Sequence, residues 1–500
     1  MTSVGKTMFP LANCIKNITT MKARYDQLQT QLASGEKAST LAEMGSDRYF
    51  DLALRQRMAR MDGYQQSIST VNLRLEVLDT VMSRLDTIES DARAAAISGG
   101  GGTSGINFQT TPTLAGSRFD EVLTLLNTDA AGRYMFGGNR TDSRPVANSS
   151  EVMNGVGARA GFKQVAGERK LADLGADHLG RLDITRVTDT VTLGEENTVF
   201  GMKLSGVTTT SANIAVTAPG GGPPPALTVQ FGTPLPTAGD KVQVSFTMPD
   251  GTEEQIVLVA TSGTPGDGEF QIGADADTTA ASFETALTGT VKQLAETTLV
   301  SASAYAAAEN FFNGQGEQVM RVDGPPFDSA TGLIAGTSAN TMLWYTGEDS
   351  ADPRNTVTAR VGEGTTVGYG VQANEAGFIN LIQTLAAVAV QDFPDSDPTS
   401  EKRYSSMMSR NAARLADTKD NQPGSLAAIT VELGLAQSTT GAIAERHTAH
   451  SAQLGNMLEQ IEAAPTETIA MEILALKTRL EASYQTTALL SQLSLVNYMR

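Results

Sequence analysis

Few residues of this chain have the types and spacing that chemistry requires. His447 and His450 stand three apart in a helical pattern, a spacing that can bring two imidazoles to one metal ion. No third ligand follows the pattern, the only other histidine is His178, and no HExxH is present. A nearby Glu445 is too common a type to count, so the pair reads as an exposed polar helix face. Gly362, Glu363 and Gly364, followed by Gly368 and Gly370, offer the glycines of a phosphate cradle. The Lys-Ser/Thr that completes such a loop is missing, and the run lies between strand patterns, so it reads as a turn-rich hairpin. Cys14 carries no signature of a catalytic thiol and reads as a packing residue. As the sole cysteine it excludes an intramolecular disulfide and a multi-thiolate metal site. No G-x-S-x-G or other serine-enzyme motif accompanies a histidine. No catalytic, metal-ligating or cofactor-binding residue is assigned, no cofactor is expected, and the chain reads as a non-enzyme.

The strongest pattern is instead apolar and repetitive. Met61, Tyr64, Ile68, Val71, Leu75, Leu78, Met82 and Leu85 alternate steps of three and four, a heptad stripe. Ile469, Ile473, Leu476 and Leu480 repeat the spacing near the other end, followed by Tyr484 and by Leu489, Leu490, Leu493, Leu495 and Val496. A first helix is expected over 10–33, with Met21, Tyr25, Leu28 and Leu32 on one face and Ser34-Gly35 as its stop. A second, from Ser46 to Ile97, would be about 75 Å long and needs a partner along its span. The Gly99–Gly102 run ends it, 107–112 reads as connector, and a helix resumes over 118–127.

From Pro145 the heptads give way to short Val/Thr/Ile segments between turn residues. Pro219–Pro225 reads as a linker into a second insert. Lys241–Met248 and Glu254–Ala260 alternate about Pro249-Asp250-Gly251, a hairpin signal, and 279–312 reads as a helical pair. Strand-and-turn composition with Trp344 and Tyr345 fills 314–373. Helices then return over 375–391, 401–419 and 425–461, and Pro465 precedes a last helix starting at Thr466.

The chain has 500 residues, enough for several cores, and a formal charge of −18. Residues 145–420 hold 17 Lys and Arg against 33 Asp and Glu, so the middle carries nearly all of it. Without a basic patch a nucleic-acid partner is not expected. The first thirty residues lack the apolar core of a secretory signal, and no run of about 18 apolar residues predicts a membrane span.

Several segments resemble the flagellin family. Leu28-Gln-Thr-Gln-Leu-Ala-Ser-Gly35 is similar to its Leu-x-x-x-Leu-Ser-Ser-Gly segment, and Tyr64-Gln-Gln-Ser-Ile-Ser69 to its recurring Gln-x-x-Ile-Ser helix. Ser483-Tyr-Gln-Thr-Thr487 and Leu493-Ser-Leu-Val-Asn497 resemble its terminal helix. Leu125-Leu-Asn-Thr-Asp-Ala-Ala-Gly-Arg-Tyr-Met-Phe-Gly-Gly138 is similar to the hook-filament junction branch, with Gly132, Arg133, Tyr134, Phe136, Gly137 and Gly138 as its motif residues. Thr366-Val-Gly-Tyr-Gly-Val-Gln-Ala-Asn374 also looks like that branch. Where the family often has Ser-x-x-Asp-Asp-Pro-Ala, this chain reads Ser39-Thr-Leu-Ala-Glu-Met-Gly-Ser-Asp47.

The expected fold is therefore α+β and multidomain, with both termini forming a long antiparallel coiled coil or bundle. Residues 1–144 plus 374–500 would be the helical core, with 1–33 and 466–500 as its inner layer. Residues 145–225 would be a β-rich insert, 226–313 an α+β insert, and 314–373 a return segment. Terminal stripes have little chain left to cover them and fray unless docked, so the expected subunit contacts are Met21, Tyr25, Leu28, Leu32, Leu480, Tyr484, Leu489, Leu490, Leu493 and Val496. The resemblance implies a flagellar structural subunit, secreted without a cleaved leader and assembling in a ring. Its implied partners are a hook-side junction protein, flagellin and an export chaperone. Filament flagellin is the alternative within the family, and a surface-displayed adhesin built on 226–313 the alternative outside it.

Overall fold

The computed structural model describes residues 9–100, 108–220, 222, 224–313 and 318–498, with side chains described from 12 to 492 within these. In chain order, α1 (Phe9–Ser34), α2 (Arg48–Gly100) and α3 (Thr111–Leu126) precede the short ribbon β1 (Asp129–Ala130) and β2 (Arg133–Tyr134). Helices α4 (Ser149–Asn154) and α5 (Phe162–Leu174) lead to β3 (Leu182–Val187), β4 (Thr190–Glu195), β5 (Lys203–Thr209), β6 (Ile214–Gly220) and β7 (Ala226–Phe231). Next come β8 (Lys241–Thr247), β9 (Glu253–Thr261), β10 (Glu269–Gln271), α6 (Ala276–Leu294) and α7 (Val300–Phe311). Strands β11 (Met320–Val322), β12 (Leu333–Ala335), β13 (Thr358–Gly362) and β14 (Thr365–Gly368) precede α8 (Ala376–Ala389), α9 (Ser400–Arg414), α10 (Leu426–Glu462) and α11 (Thr466–Tyr498). The chain is thus mixed helix and sheet, with long helices toward both termini.

Local chemistry sets these boundaries. Gly35 ends α1 at φ +73°, its N–H donating to Gln31 O at 2.9 Å, which a side-chain-bearing residue would resist. Pro112 sits in the first turn of α3, where its missing N–H costs nothing. That helix therefore starts at Thr111, inside the stretch read as connector. Asp275 and Thr278 form a reciprocal capping box on α6, and Ser425 Oγ accepts the Ala428 N–H at the start of α10.

The described residues divide into two units, one within 1–70, 360–366 and 439–500 and one within 71–359 and 367–438. In the larger unit, two four-stranded sheets, ordered β3-β4-β7-β6 and β10-β9-β8-β5, share a core with α6. Phe231, Phe270 and Phe283 meet edge to face with centroids 5.2–5.7 Å apart, a geometry that the ring quadrupole favours. Val71, Leu75, Leu78, Met82 and Leu85 are buried, so the α2 heptad stripe serves core packing there.

The insert departs from expectation in three ways. Residues 145–181 are not β-rich, because α4 and α5 occupy them; α5 buries Phe162, Val165 and Ala166. Pro219 and Gly220 belong to β6, and Gly220 pairs with Ala226 of β7; β7 pairs with β6 on one side and β4 on the other, so no boundary falls at 225. The expected helical pair over 279–312 is one rod, since a π-helical stretch at Ala295–Leu299 carries α6 into α7. The β8–β9 hairpin forms as expected, and its turn does more than reverse the chain. The Asp250 side chain is buried and accepts from Arg410 Nε at 2.8 Å, with Thr252 and Glu254 on the same guanidinium, fastening the hairpin to α9.

A cleft of about 570 Å3 lies beside that fastening, lined among others by Glu89, Arg410, Arg414, Lys419 and Asp420. Burial pushes the Glu89 carboxyl up to about 7; Arg93 pulls against this, and Asp420 and Asp86 add to it. The folded chain therefore keeps this proton to higher pH than the unfolded chain, and stability falls as pH rises from about 4.5 to 7. Glu89→Gln should match wild type near the bottom of that window and exceed it by roughly 1–2 kcal/mol at pH 8, read by urea denaturation at both pH values. Equal stability of the two proteins at pH 8 would refute the assignment.

Candidate assembly surface

In the smaller unit α1 lies antiparallel to α11. Glu36 bridges Ala463, and farther along Arg24 forks onto both carboxylate oxygens of Glu472 at 3.2 and 3.3 Å. The seam between the helices follows from matched spacing: Leu28, Ala464, Ile469 and Leu476 are buried, and Met21, Tyr25 and Ile473 pack against them half-buried. Steps of four and three, Met21–Tyr25–Leu28 on α1 and Ile469–Ile473–Leu476 on α11, keep one apolar edge toward the other, and the edge ends before Leu32.

Two connections close this unit at an elbow. The chain from α1 to α2 and the chain from α10 to α11 run side by side, with Lys37 N–H donating to Glu462 O at 2.7 Å and Ala464 N–H to Gly35 O at 2.9 Å. Arg55 forks between Asp51 and Glu462. Pro465 stops α10 from running on as one rod, and α11 begins directly after it.

Beyond the seam several large apolar side chains are exposed. Met471 and Leu474 are 65% and 64% exposed, and Ile15, Leu32, Tyr484, Leu489 and Leu490 are exposed as well. Tyr49 and Phe50 form an exposed T-shaped pair at the start of α2. Thus the residues expected at subunit contacts divide into two groups. Met21, Tyr25 and Leu28 pack inside the chain, and Leu480 is buried too, because their spacing faces a helix of the same chain. Leu32, Tyr484, Leu489 and Leu490 remain on the surface, and the side chains of Leu493 and Val496 lie outside the described residues. Met471 and Leu474 were missed by the sequence reading because they fall off the heptad register, and it is that offset that leaves them uncovered.

The motif residues lie in the larger unit and hold two distant segments together. Gly132, at φ +77°, makes the β1–β2 turn. Arg133 Nε donates to Thr141 Oγ1 at 3.0 Å, and Tyr134 continues β2. Phe136 is fully buried edge-on to Phe378, and its carbonyl accepts from Ala373. Gly137 bridges Gln372, and Gly138, at φ +62°, donates to Val371 O and leaves no room for a Cβ beside Glu348. The 125–138 and 366–374 segments, far apart in sequence, are therefore hydrogen-bonded neighbours.

His447 corrects the reading of an exposed pair. It is buried, with Nε2 2.7 Å from Val361 O and its ring stacked on Tyr64, because this face of α10 packs under the β13–β14 turn; His450 is exposed. That turn is the expected hairpin, with Gly364 at φ +77°. Among the described residues no group of three His, Cys, Asp or Glu is placed to hold a metal ion, and no helix is long and apolar enough to cross a membrane. No protein-family profile matches the chain. No curated protein matches it either.

The division into seam and open face is testable in the isolated chain. Leu28→Ala should destabilise the terminal helix pair by about 2–4 kcal/mol, whereas Leu489→Asp should change it by less than about 0.5 kcal/mol, both read by chemical denaturation followed by circular dichroism. Similar losses from both would mean that the open face is also internal packing.

Proposed function

We propose that this protein is a structural subunit of the bacterial flagellum, a junction protein of the hook-associated protein 3 type that links the hook to the flagellin filament. The observation that carries the reading is the open apolar face of the terminal helices. Exposed large apolar side chains gathered on one pair of helices mark a candidate interaction site, and here Met471, Leu474 and Leu489 lie off the seam that Leu28, Ile469 and Leu476 form. Charge supports the same division. The smaller unit has 14 Lys and Arg against 13 Asp and Glu, a net of +1, which leaves −19 for the larger one. Copies of a near-neutral unit can pack without accumulating repulsion, while a strongly acidic one stays solvated.

On this reading the terminal helices form an inner coiled-coil layer, the long helices the next, and the insert faces solvent. Ring assembly covers the apolar side chains that the terminal helices leave exposed. The chain is delivered unfolded by the flagellar export apparatus with an export chaperone, and it contacts the hook-side junction protein and flagellin. The motif supports the junction branch over filament flagellin, because Leu125–Gly138 and Thr366–Asn374 both resemble that branch.

Electron microscopy of the purified chain, alone and with hooks bearing their first junction protein, tests the assignment. A short added layer at the hook tip, and no polymer from the chain alone, is the expected result. Long filaments from the chain alone would make it a filament flagellin, and absence of any assembly would remove the flagellar reading. In the first case Leu489→Asp should prevent the added layer, because it would bury an unpaired charge at a subunit contact.

A further inference from the structure

Charged and apolar side chains are left uncovered together at the start of α2. Arg48, Arg57 and Arg60 are exposed there, with Tyr49, Phe50 and Leu52 exposed among them. The other guanidinium groups of this helix are engaged within the chain: Arg55 on Asp51 and Glu462, Arg74 on Tyr369 Oη at 2.7 Å, Arg84 on Glu121, and Arg93 on Asp417 and Asp420. Arg48, Arg57 and Arg60 make no ion pair or side-chain hydrogen bond among the described residues, and Asp62 is the one unpaired carboxylate near them on the helix. The stretch therefore keeps a surplus of positive charge. Farther along α2 the sign reverses. Glu76, Asp79 and Asp86 are exposed and unpaired among the described residues, with Leu73 exposed nearby, whereas Glu89 meets Arg93 and Asp91 meets Arg118.

A single exposed charge is ordinarily left to water. Several unpaired arginines interleaved with exposed aromatic rings have instead the composition of a protein interface. Their complement stands on the same chain and out of its reach, because side chains along one helix meet at spacings of three or four residues, far less than the interval from Arg60 to Glu76. We infer that the basic, aromatic start of α2 docks on the acidic stretch around Glu76, Asp79 and Asp86 of a second copy of this chain. This rests on the assembly reading and gives its contact a direction. The two surfaces differ, so the contact is heterologous: each copy offers one surface to the neighbour ahead and the other to the neighbour behind, the class of contact that closes into rings or runs on as a filament. Guanidinium–carboxylate pairs reject registers in which like charges meet, and Tyr49, Phe50 and Leu52 add apolar burial at the same place.

The test follows addition of the full-length chain to hook tips for two variants, Arg57→Glu with Arg60→Glu, and Glu76→Arg with Asp79→Arg. Each variant alone sets like charges against each other, so the concentration needed for an added layer should rise at least about tenfold. The Tm of the free chain should stay within about 2 °C of wild type, because every altered side chain is exposed. An equimolar mixture of the two variants should recover the layer, since each then carries the partner of the other. Addition of the wild type should weaken as NaCl rises from about 0.05 to about 0.5 M. Normal addition by either variant alone overturns the inference, and so does failure of the mixture while the wild type assembles. If the wild type polymerises alone, the same variants and mixture are scored on that polymer with the same expectations. If the wild type neither adds to hook tips nor polymerises, the assembly reading fails, and a second copy as the partner fails with it.

Discussion

The α1–α11 seam is the constraint on which the smaller unit depends. Arg24 and Glu472 are 448 residues apart, and their contact requires the whole intervening chain to bring its ends together. Closing so long a loop carries an entropic cost that grows slowly with length, so a modest apolar seam suffices once the intervening unit is folded. Leu28, Ile469 and Leu476 supply that seam, and the paired backbone bonds at the elbow fix where along the helices it begins. Each helix alone would present an apolar edge to water, and long helices without a packed face are marginal.

The same seam determines what remains exposed. A helix buries one edge against a single partner, and residues off that edge stay outside. Met471, Leu474 and Leu489 lie on the uncovered side, which makes the paired termini a surface as well as a core. The larger unit follows a different rule. Its two sheets and α6 enclose an apolar core with a Phe231-Phe270-Phe283 cluster, and largely buried ion pairs such as Arg410 with Asp250 and Arg321 with Glu168 fasten its helices to hairpins. Removing one partner of such a pair leaves the other charged and buried, so these contacts specify the arrangement more than they add to its stability.

Legibility in the sequence tracked the range of the interactions. Helices defined by periodicity and caps were readable: α1 with its Gly35 stop, the long α2, and α11 after Pro465 fall close to their expected limits. Segments whose state depends on a distant partner were not. The 219–225 run has linker composition, yet Gly220 of β6 pairs with Ala226 of β7, and β4 holds the other edge of β7. Polar composition concealed α5, whose buried face meets α7 and β11. The heptad stripes were visible, but whether a stripe meets its own chain or another cannot be read from spacing, which is why Leu28 and Leu489 were grouped together. His447 was misplaced for the same reason, since Val361 and Tyr64 reach it from elsewhere in the chain.

Hydrogen exchange along α11, in the free chain and in the proposed hook-bound layer, tests the central claim most directly: one stretch of this helix is satisfied within the chain, and on the proposed reading the next is completed by neighbours. The account predicts protection of 466–480 in both states and a large gain of protection over 484–492 only on assembly. Equal protection of the two stretches in the free chain, or no gain on assembly, would contradict it.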